Sequence, residues 1–261
     1  MRGRPGSWSG VGAAYAASYA ELCRGTFPAL QALLGTGDGR TLLDVGAGTG
    51  ELAAAFAADG WAVMAREPEP SMREVAARRH PGLRAEGGAL PALPERDGAY
   101  DAVVANFVLN HVPDPRAAAA ELRRVARGAA VATIWTSSPS WLWAEVCDRA
   151  GLVAASGGRL PAELDFERSV DGFAAMLDEG GWPDPRVREL RWIWRASQEA
   201  LWSSVEGGIA GAGAYYRALG TRDRERFRAG FEEVVAARSV DGVLPLEHVA
   251  AVGVAYLDPS R

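Results

Sequence analysis

Residues 42–50 read LLDVGAGTG, an apolar run that passes directly into three glycines at alternate positions, Gly46, Gly48 and Gly50. A short apolar run bounded by glycine predicts a buried strand that ends in a tight loop. Glycine tolerates backbone conformations closed to other residues, and it allows a ligand to approach the main chain. Residues 51–59 predict a helix, whose first N–H groups have no partner within the helix and favour negative ligand groups. The segment therefore predicts a strand, a ligand-binding loop and a helix.

The alternation of strand and helix continues along the chain. Further strands are predicted at residues 61–66, 83–86, 100–105, 129–135, 187–195 and 249–257, and further helices at 70–79, 115–127, 141–150 and 169–179. Strands that alternate with helices predict parallel βαβ units and a sheet covered on both faces. We therefore expect an α/β fold with a seven-stranded, mostly parallel sheet.

The whole chain, residues 1–261, is predicted to form a single domain. It begins with an N-terminal helical cap at residues 1–38, which a ligand-binding core follows at residues 39–150. The C-terminal half, residues 151–261, contains a helical insertion at residues 197–239, before the last strand. Within the cap, Gly25 and Pro28 are expected to break the helical segment into two pieces, because both residues interrupt helices.

The composition disfavours several classes of function. The formal net charge is −5, whereas binding to nucleic acid rests on many contacts between basic side chains and phosphates, so no nucleic-acid partner is expected. All 28 basic residues are arginine, which excludes chemistry that needs lysine, such as a Schiff base. Cys23 and Cys147 are expected to be buried free thiols. No His, Asp or Glu cluster has metal-ligand spacing, so no metal is expected.

The location of the protein also follows from the sequence as an expectation. The N-terminal segment lacks the apolar stretch of a secretory signal. No apolar run reaches the roughly 18 residues that a membrane-spanning helix needs. A cytoplasmic protein without a membrane partner is therefore expected, and both a monomer and a homodimer remain open.

A second candidate for ligand binding is Glu67, which ends the second predicted strand, 21 residues after Gly46. That spacing is one βαβ step and is the usual place for an acidic residue that binds ribose hydroxyls. The segment from Asn106 to His111 follows the fourth strand. Ligands of open α/β sheets bind at the carboxyl ends of the strands, where the strand order reverses. The glycine loop, Glu67 and this segment are therefore expected at one edge of the sheet.

Four segments resemble the motifs of class I S-adenosylmethionine-dependent methyltransferases, in the order and spacing of that family. They are LLDVGAGTG at 42–50, VMAREPEPSM at 63–72, EGGALP at 86–91 and YDAVVANFVLNHV at 100–112. The resemblance continues through ELRRVARG at 121–128, and beyond that segment only the topology is similar. It implies a Rossmann-like fold, with S-adenosyl-L-methionine as cofactor and S-adenosyl-L-homocysteine as product.

A dinucleotide-dependent oxidoreductase is the main alternative with the same topology. Its loop has the form G-x-G-x-x-G, whereas Gly46, Gly48 and Gly50 give G-x-G-x-G. The chain also lacks a Tyr-x-x-x-Lys pair for hydride transfer. Both observations favour the methyltransferase.

The resemblance also implies a set of cofactor-binding residues. In the family, a carboxylate at the position of Asp44 braces the glycine loop. The implied cofactor-binding residues are Asp44, Gly46, Ala47, Gly48, Gly50, Glu67, Pro68, Met72, Gly88, Ala89, Leu90, Asn106, Phe107 and His111. Gly88 departs from the family, where an Asp commonly binds the adenine amino group, so backbone groups of Ala89 and Leu90 are the expected replacement.

The acceptor site is less determined by the sequence. Of the three histidines, His111 is the best placed to act as a base or to position the acceptor, and the alternative is a structural turn residue. His80 is expected on the surface, while His248 is either strand packing or a group near the sheet edge. Candidate acceptor-binding residues are Tyr15 and Tyr19 in the cap, Trp141, and Trp202, with ordinary packing as the alternative for each.

The nature of the acceptor is predicted from the resemblance. In relatives, insertions between the last two strands form a lid over the acceptor site, which favours a small molecule. The nine tryptophans favour an aromatic or apolar secondary metabolite. Two alternatives stay open, namely an RNA or protein methyltransferase, and a non-catalytic partner subunit that binds S-adenosylmethionine.

Overall fold

The computed structural model describes residues 8–154 and 160–257, so the first seven residues of the expected cap lie outside the described part. The strands are β1 Thr41–Val45, β2 Ala62–Arg66, β3 Arg84–Glu86, β4 Tyr100–Asn106, β5 Ala126–Ser137, β6 Arg186–Ser197 and β7 Val243–Tyr256. The helices are α1 Gly12–Ala16, α2 Tyr19–Arg24, α3 Phe27–Leu34, α4 Glu51–Ala58, α5 Pro70–Arg79, α6 Pro115–Val125, α7 Trp141–Arg149, α8 Val170–Glu179, α9 Gln198–Glu206, α10 Ala210–Ala218 and α11 Thr221–Arg238.

The strands form one seven-stranded sheet in the order β3-β2-β1-β4-β5-β7-β6. Strands β1 to β5 are parallel to one another, and β7 runs antiparallel to both β5 and β6. The predicted α/β fold with a seven-stranded, mostly parallel sheet is therefore confirmed. The strand order reverses beside β1, so the carboxyl ends of β1 and β4 open a crevice at this point.

The central strands are buried on both faces, as their unbroken apolar sequence predicts. Successive side chains of a strand point to opposite faces, and β1 illustrates this. Leu42 packs in one apolar cluster with Phe56 of α4, whereas Leu43 packs in another with Phe173 of α8. The two clusters fix the sheet between its helices and hold the carboxyl ends of the strands in register.

The part of the cap that the structure describes, residues 8–38, differs from the expectation, because it contains three helices instead of two pieces. The additional break is at Ser18, whose hydroxyl donates a hydrogen bond to the Ala14 carbonyl at 2.7 Å. No glycine or proline marks this break in the sequence. The expected break at Gly25 is present, and a Cβ there would lie 2.6 Å from Nε1 of Trp192.

Helices α9, α10 and α11 occupy the segment between β6 and β7 where the helical insertion is predicted. They pack with α7 and the ends of β6 and β7 around a third apolar cluster, which includes Phe227, Phe231 and Trp194. In the part of the chain that the structure describes, no helix is long and apolar enough to cross a membrane.

Candidate active site

A cavity of about 1260 Å³ lies at the carboxyl ends of β1, β2, β4 and β5. Pockets for a single drug-sized ligand are typically about 300–1,000 Å³, so this cavity has room for two molecules side by side. One part, which we call the cofactor half, is lined by the glycine loop, the end of β2 and the segments that follow β3 and β4. The other part, the acceptor half, is lined by β5, α7, β6, β7 and the insertion helices.

The glycine loop is held in a conformation that only glycine adopts easily. Gly46, Gly48 and Gly50 have φ values of +72°, +58° and +88°. The N–H groups of Gly46 and Ala47 both donate to the Arg66 carbonyl, at 2.7 and 3.2 Å, which ties the loop to the end of β2. Gly46 and Gly48 line the cavity, whereas Ala47 and Gly50 do not. The loop therefore presents backbone, without side chains, to a ligand.

Glu67 lies at the carboxyl end of β2 and lines the cavity. Its two carboxylate oxygens accept backbone hydrogen bonds from Gly48 and Glu69, each at 2.9 Å. Burial raises the pKa of the carboxyl, and these two bonds act against the rise. Each oxygen has a second lone pair, so the carboxylate can still accept from two vicinal hydroxyls.

Asp44 lies behind the glycine loop, at the end of β1, and is only 1% exposed. Its Oδ2 has no hydrogen-bond partner among residues 8–154 and 160–257. Burial, together with the nearby Glu67 carboxylate, raises the pKa of Asp44 to about 7. The side chain does not line the cavity, which agrees with a position that supports the loop from behind.

The raised pKa of Asp44 predicts a dependence of stability on pH. Between the usual value of 3.8 and about 7, the folded state holds a proton that the unfolded state has lost. The retained proton stabilises the folded state. This stabilisation is fully present below pH 3.8 and is lost as the pH rises through about 7. From pH 5 to pH 7, we expect Asp44 to lower the free energy of unfolding by roughly 2–3 kcal/mol.

Denaturant unfolding at pH 5 and pH 7 measures this contribution. Between pH 5 and pH 7, the free energy of unfolding of Asp44→Asn should fall by roughly 2–3 kcal/mol less than that of the parent. The exposed carboxylate of Asp178 provides the matched control, and Asp178→Asn should follow the parent. An identical pH dependence in the parent and in Asp44→Asn would rule out the proposed titration.

The segment after β3 also lines the cofactor half, through Gly88, Ala89 and Leu90. The structure gives a physical reason for glycine at position 88, because a Cβ there would lie 2.9 Å from Cδ of Arg66. The Arg66 guanidinium is fixed by ion pairs with Glu86 at 2.9 Å and Glu95 at 2.6 Å. Arg66 therefore occupies the space that a larger side chain at position 88 would need.

The N-terminal cap closes the cofactor half from above. The Gly12 N–H donates to Oγ of Ser71 at 3.1 Å, so α1 lies directly on the start of α5. A Cβ on Gly12 would lie only 2.3 Å from the Ser71 carbonyl oxygen. The ring of Tyr15, one turn along α1, would lie 3.1 Å from a Cβ on Gly48. The contact between Gly12 and Ser71 therefore positions Tyr15 over the glycine loop.

Gly12→Val is expected to displace α1, because the clashing atom on α5 belongs to the backbone and cannot move aside. Ligand in the cofactor half would lose its cover, and we expect S-adenosylhomocysteine to bind about tenfold more weakly, or ~1.4 kcal/mol. Isothermal titration calorimetry measures the change. Ala13→Val places the same side chain at an exposed position of α1 and should bind as the parent does. Equal affinities of the two variants would contradict the role of the cap.

Asn106 ends β4, Phe107 follows it, and the two residues connect the cap to the sheet. The Asn106 amide donates to the Cys23 carbonyl at 3.0 Å and accepts from the hydroxyls of Thr26 and Thr133, at 3.1 and 2.7 Å. Phe107 has a φ of +60°, and its N–H donates to the Thr133 hydroxyl at 2.9 Å. Both residues line the cavity, but the Asn106 side chain already binds protein groups with its oxygen and its nitrogen.

The acceptor half is mainly aromatic. Phe107 stacks on Trp135 with the ring centroids 3.7 Å apart and the planes 2° from parallel. Trp143 and Trp194 also line this half, and Tyr19 packs edge-on against Trp194 at 5.9 Å. The carboxylates that line the cavity, those of Glu67 and Glu69, lie in the cofactor half. A flat apolar molecule is the kind of ligand that such a surface accommodates.

The remaining predicted site residues are distributed as follows. Pro68, Met72, Tyr15, Tyr19, Trp141 and His111 line the cavity, with Trp141 at the rim and 43% exposed. Trp202 does not reach the cavity, because its ring is 8% exposed and packs on Phe231 and Tyr216 with centroids 5.2 and 5.3 Å apart. His111 lies edge-on to Trp8 at 5.1 Å, and burial lowers its pKa.

His80 and Cys23 differ from their expected environments, whereas His248 agrees with the expected packing on a strand. His80 was expected on the surface, but it is half-buried at the end of α5, and its Nε2 has no partner among the described residues. His248 is buried and lines the acceptor half. Cys23 is a free thiol, as expected, but it is only half-buried and lines the cavity. No sequence motif marked Cys23, Trp135, Trp143, Trp194 or His248 as site residues, since aromatic and Cys residues are common in ordinary cores.

Comparison with known proteins places the core in a recognised family. A family model described as "Methyltransferase domain" matches residues 43–133. The chain is 31% identical over 194 residues to the demethylmenaquinone methyltransferase of Beutenbergia cavernae, which covers 69% of this chain and 81% of that protein. It is 41% identical over 106 residues to an uncharacterized methyltransferase of Mycobacterium ulcerans, but this match covers only 37% of this chain and 40% of the relative.

A solved structure shares the fold. Phosphoethanolamine N-methyltransferase 2 of Haemonchus contortus, in complex with phosphomonomethylethanolamine and S-adenosylhomocysteine, superposes with a TM-score of 0.52. The superposition covers 89% of this chain and 52% of that chain at 14% sequence identity. The similarity therefore concerns the architecture of the sheet and its helices.

Proposed function

Because the chain belongs to the class I S-adenosylmethionine-dependent methyltransferases, we propose that it methylates a small aromatic or apolar molecule bound in the acceptor half of the cavity. The observation that carries this proposal is the two-part cavity, in which acidic groups and bare backbone in the cofactor half adjoin a surface of tryptophans. A macromolecular acceptor would need an open, polar or basic surface. The walls of the acceptor half are instead mainly apolar and come from β5, α7, β6, β7 and the insertion helices.

The residues of the cofactor half fit S-adenosylmethionine. A Cβ on Gly46 would lie 2.4 Å from Val108, so the loop leaves room for backbone approach and for little else. The Glu67 carboxylate lies where ribose hydroxyls bind in βαβ folds. Met72, which is buried and lines the cavity, and Leu90 provide apolar surface for a base. When bound, the cofactor supplies a methyl group on a sulfonium that is already a good electrophile.

The work left to the protein is mainly alignment. Holding two reactants in line contributes much of the rate of a displacement reaction. Phe107 lies at the boundary between the halves, where its left-handed backbone turns the ring onto Trp135. Trp135, Trp143 and Trp194 would hold a flat acceptor, and the cap with Tyr15 and Tyr19 would exclude water. The demethylmenaquinone methyltransferase of Beutenbergia cavernae, whose name points to a quinone-type acceptor, supports an aromatic acceptor for this chain as well.

A methyl-transfer assay tests the proposal. The purified protein is incubated with S-adenosylmethionine labelled in its methyl group and, in separate reactions, with 1-naphthol, 1,4-dihydroxynaphthalene, glycine, total tRNA and a protein mixture. Label is expected in the naphthalene derivatives. Label in tRNA or protein alone would favour the macromolecular alternatives. Binding of S-adenosylhomocysteine without transfer to any aromatic probe would contradict the proposed acceptor class.

A further inference from the structure

His248 has a fixed hydrogen bond that defines its protonation. Its Nδ1 lies 3.0 Å from the carbonyl oxygen of Leu246, two residues earlier on β7. A carbonyl oxygen can only accept, so Nδ1 carries the proton that it donates. In the neutral imidazole, Nε2 then holds a free lone pair. The backbone of β7 therefore presents His248 as a proton acceptor.

His248 is part of the wall of the acceptor half. The residue is 4% exposed, and its ring lines the cavity. Three tryptophans surround the ring, with centroid distances of 5.4 Å to Trp135, 5.8 Å to Trp192 and 6.2 Å to Trp194. None of these tryptophans offers a hydrogen-bond acceptor, and Nε2 makes no hydrogen bond to any residue that the structure describes. The group is thus unpaired inside an apolar site.

We propose that the acceptor is a hydroxylated aromatic molecule and that Nε2 of His248 is the general base of its O-methylation, an inference that rests on the proposed function. The hydroxyl oxygen forms a bond to the methyl carbon, while the carbon–sulfur bond breaks and its electron pair stays on sulfur. The hydroxyl proton passes to Nε2, which gives an imidazolium that later releases the proton to solvent. Nδ1 keeps its bond to Leu246 throughout and holds the ring in place.

The charge state of His248 agrees with this role. Burial lowers the pKa of His248, against the opposing effect of the bond to Leu246, so the ring is neutral at pH 7. The other titratable groups that line the acceptor half are Tyr19, Cys23, Cys147 and Tyr215, and each has a pKa raised by burial. All four are therefore neutral at pH 7, and His248 is the base available to a hydroxyl there.

His111 offers no comparable arrangement. Its ring makes no hydrogen bond that would set the tautomer within the described part of the chain, and it packs edge-on against Trp8. His248 is therefore the stronger assignment, although the sequence favours His111.

The rate with two matched acceptors tests the base. His248→Asn retains an amide that can donate to the Leu246 carbonyl, but it has no basic nitrogen. For 1-naphthol, kcat should fall about 100-fold or more, with an unchanged dissociation constant for S-adenosylhomocysteine. For 1-naphthalenethiol, kcat should change less than about threefold, since this more acidic group gives its proton to solvent before methyl transfer and needs no base on the protein. Glu247→Gln, an exposed change on the same strand, should behave as the parent does.

A second readout does not depend on turnover. In ¹⁵N-labelled protein loaded with S-adenosylhomocysteine, the His248 resonances are assigned by comparison with His248→Asn. Nδ1 should be protonated and Nε2 bare at pH 8, and 1-naphthol at saturation should shift the Nε2 resonance. A proton on Nε2, no shift with 1-naphthol, or near-parental turnover of 1-naphthol by His248→Asn would each overturn the inference. If the parent transfers methyl to neither 1-naphthol nor 1-naphthalenethiol, the proposed function is contradicted instead. The Nε2 resonance would then still show whether Nε2 of His248 is bare and contacts 1-naphthol.

Discussion

Gly46→Ala is expected to weaken S-adenosylhomocysteine binding by about 100-fold, or roughly 3 kcal/mol, the sum of a left-handed backbone penalty and an overpacking penalty. Gly46 has a φ of +72°, and the new Cβ would lie 2.4 Å from Cγ2 of Val108. Val108 follows β4 and itself lines the cavity, so relief of the clash must distort the site. Calorimetric titration of parent and variant measures the loss.

Two variants separate the clash from the backbone strain. Gly39→Ala introduces the same strain at a φ of +83°, with no atom within 4 Å of the new Cβ, at the opposite end of β1 from the cavity. It should lower stability slightly and leave binding unchanged. In Gly46→Ala, a second change of Val108→Ala removes the clashing methyl groups and should restore about tenfold of the affinity. If Gly46→Ala alone binds S-adenosylhomocysteine within threefold of the parent, the loop does not approach the ligand closely.

Glu67→Ala is expected to reduce the affinity for S-adenosylhomocysteine by roughly 100- to 10,000-fold. Two hydrogen bonds from ribose hydroxyls to a carboxylate would be lost, each worth roughly 1.5–3 kcal/mol. The N–H groups of Gly48 and Glu69 would also lose the partner that they have at 2.9 Å, which loosens the loop itself. The affinity and the order of the loop should therefore decline together. Faster hydrogen exchange of the Gly48 amide measures the loss of order in the loop.

The controls for Glu67 distinguish charge from contact. Glu74 lies on the exposed side of α5, so Glu74→Ala removes one negative charge without touching the cavity and should bind normally. Glu67→Gln retains one acceptor oxygen and should fall between the parent and Glu67→Ala. If Glu67→Ala binds as tightly as Glu74→Ala, the ribose lies elsewhere in the cavity.

The fold and the cofactor half follow from local sequence signals. A short apolar run, alternate glycines and an acidic residue one βαβ step later are all determined within about 30 residues. The topology then brings Gly46, Glu67 and Asn106 together, because the carboxyl ends of parallel strands meet at one edge. These signals can be recognised in a single sequence, because the backbone geometry of the loop and of the strand ends requires particular residue types at those positions.

The acceptor half could not be predicted in the same way. Trp135, Trp194 and His248 come from β5, β6 and β7, which are distant in the sequence and become neighbours only through antiparallel pairing. A tryptophan that lines a cavity and one that fills a core have the same sequence signature. Trp202 illustrates the second case, since α11 covers its ring. The tautomer of His248 depends on a carbonyl position, which no sequence pattern reports.

A crystal structure with S-adenosylhomocysteine tests the central claim, that a cofactor half and an acceptor half share one cavity. The ribose hydroxyls should lie within hydrogen-bond distance of the Glu67 carboxylate, and the sulfur should face the acceptor half, which Trp135 and His248 line. A ligand whose ribose lies away from Glu67, or whose sulfur points out of the cavity beyond Trp8, would contradict the assignment of both halves.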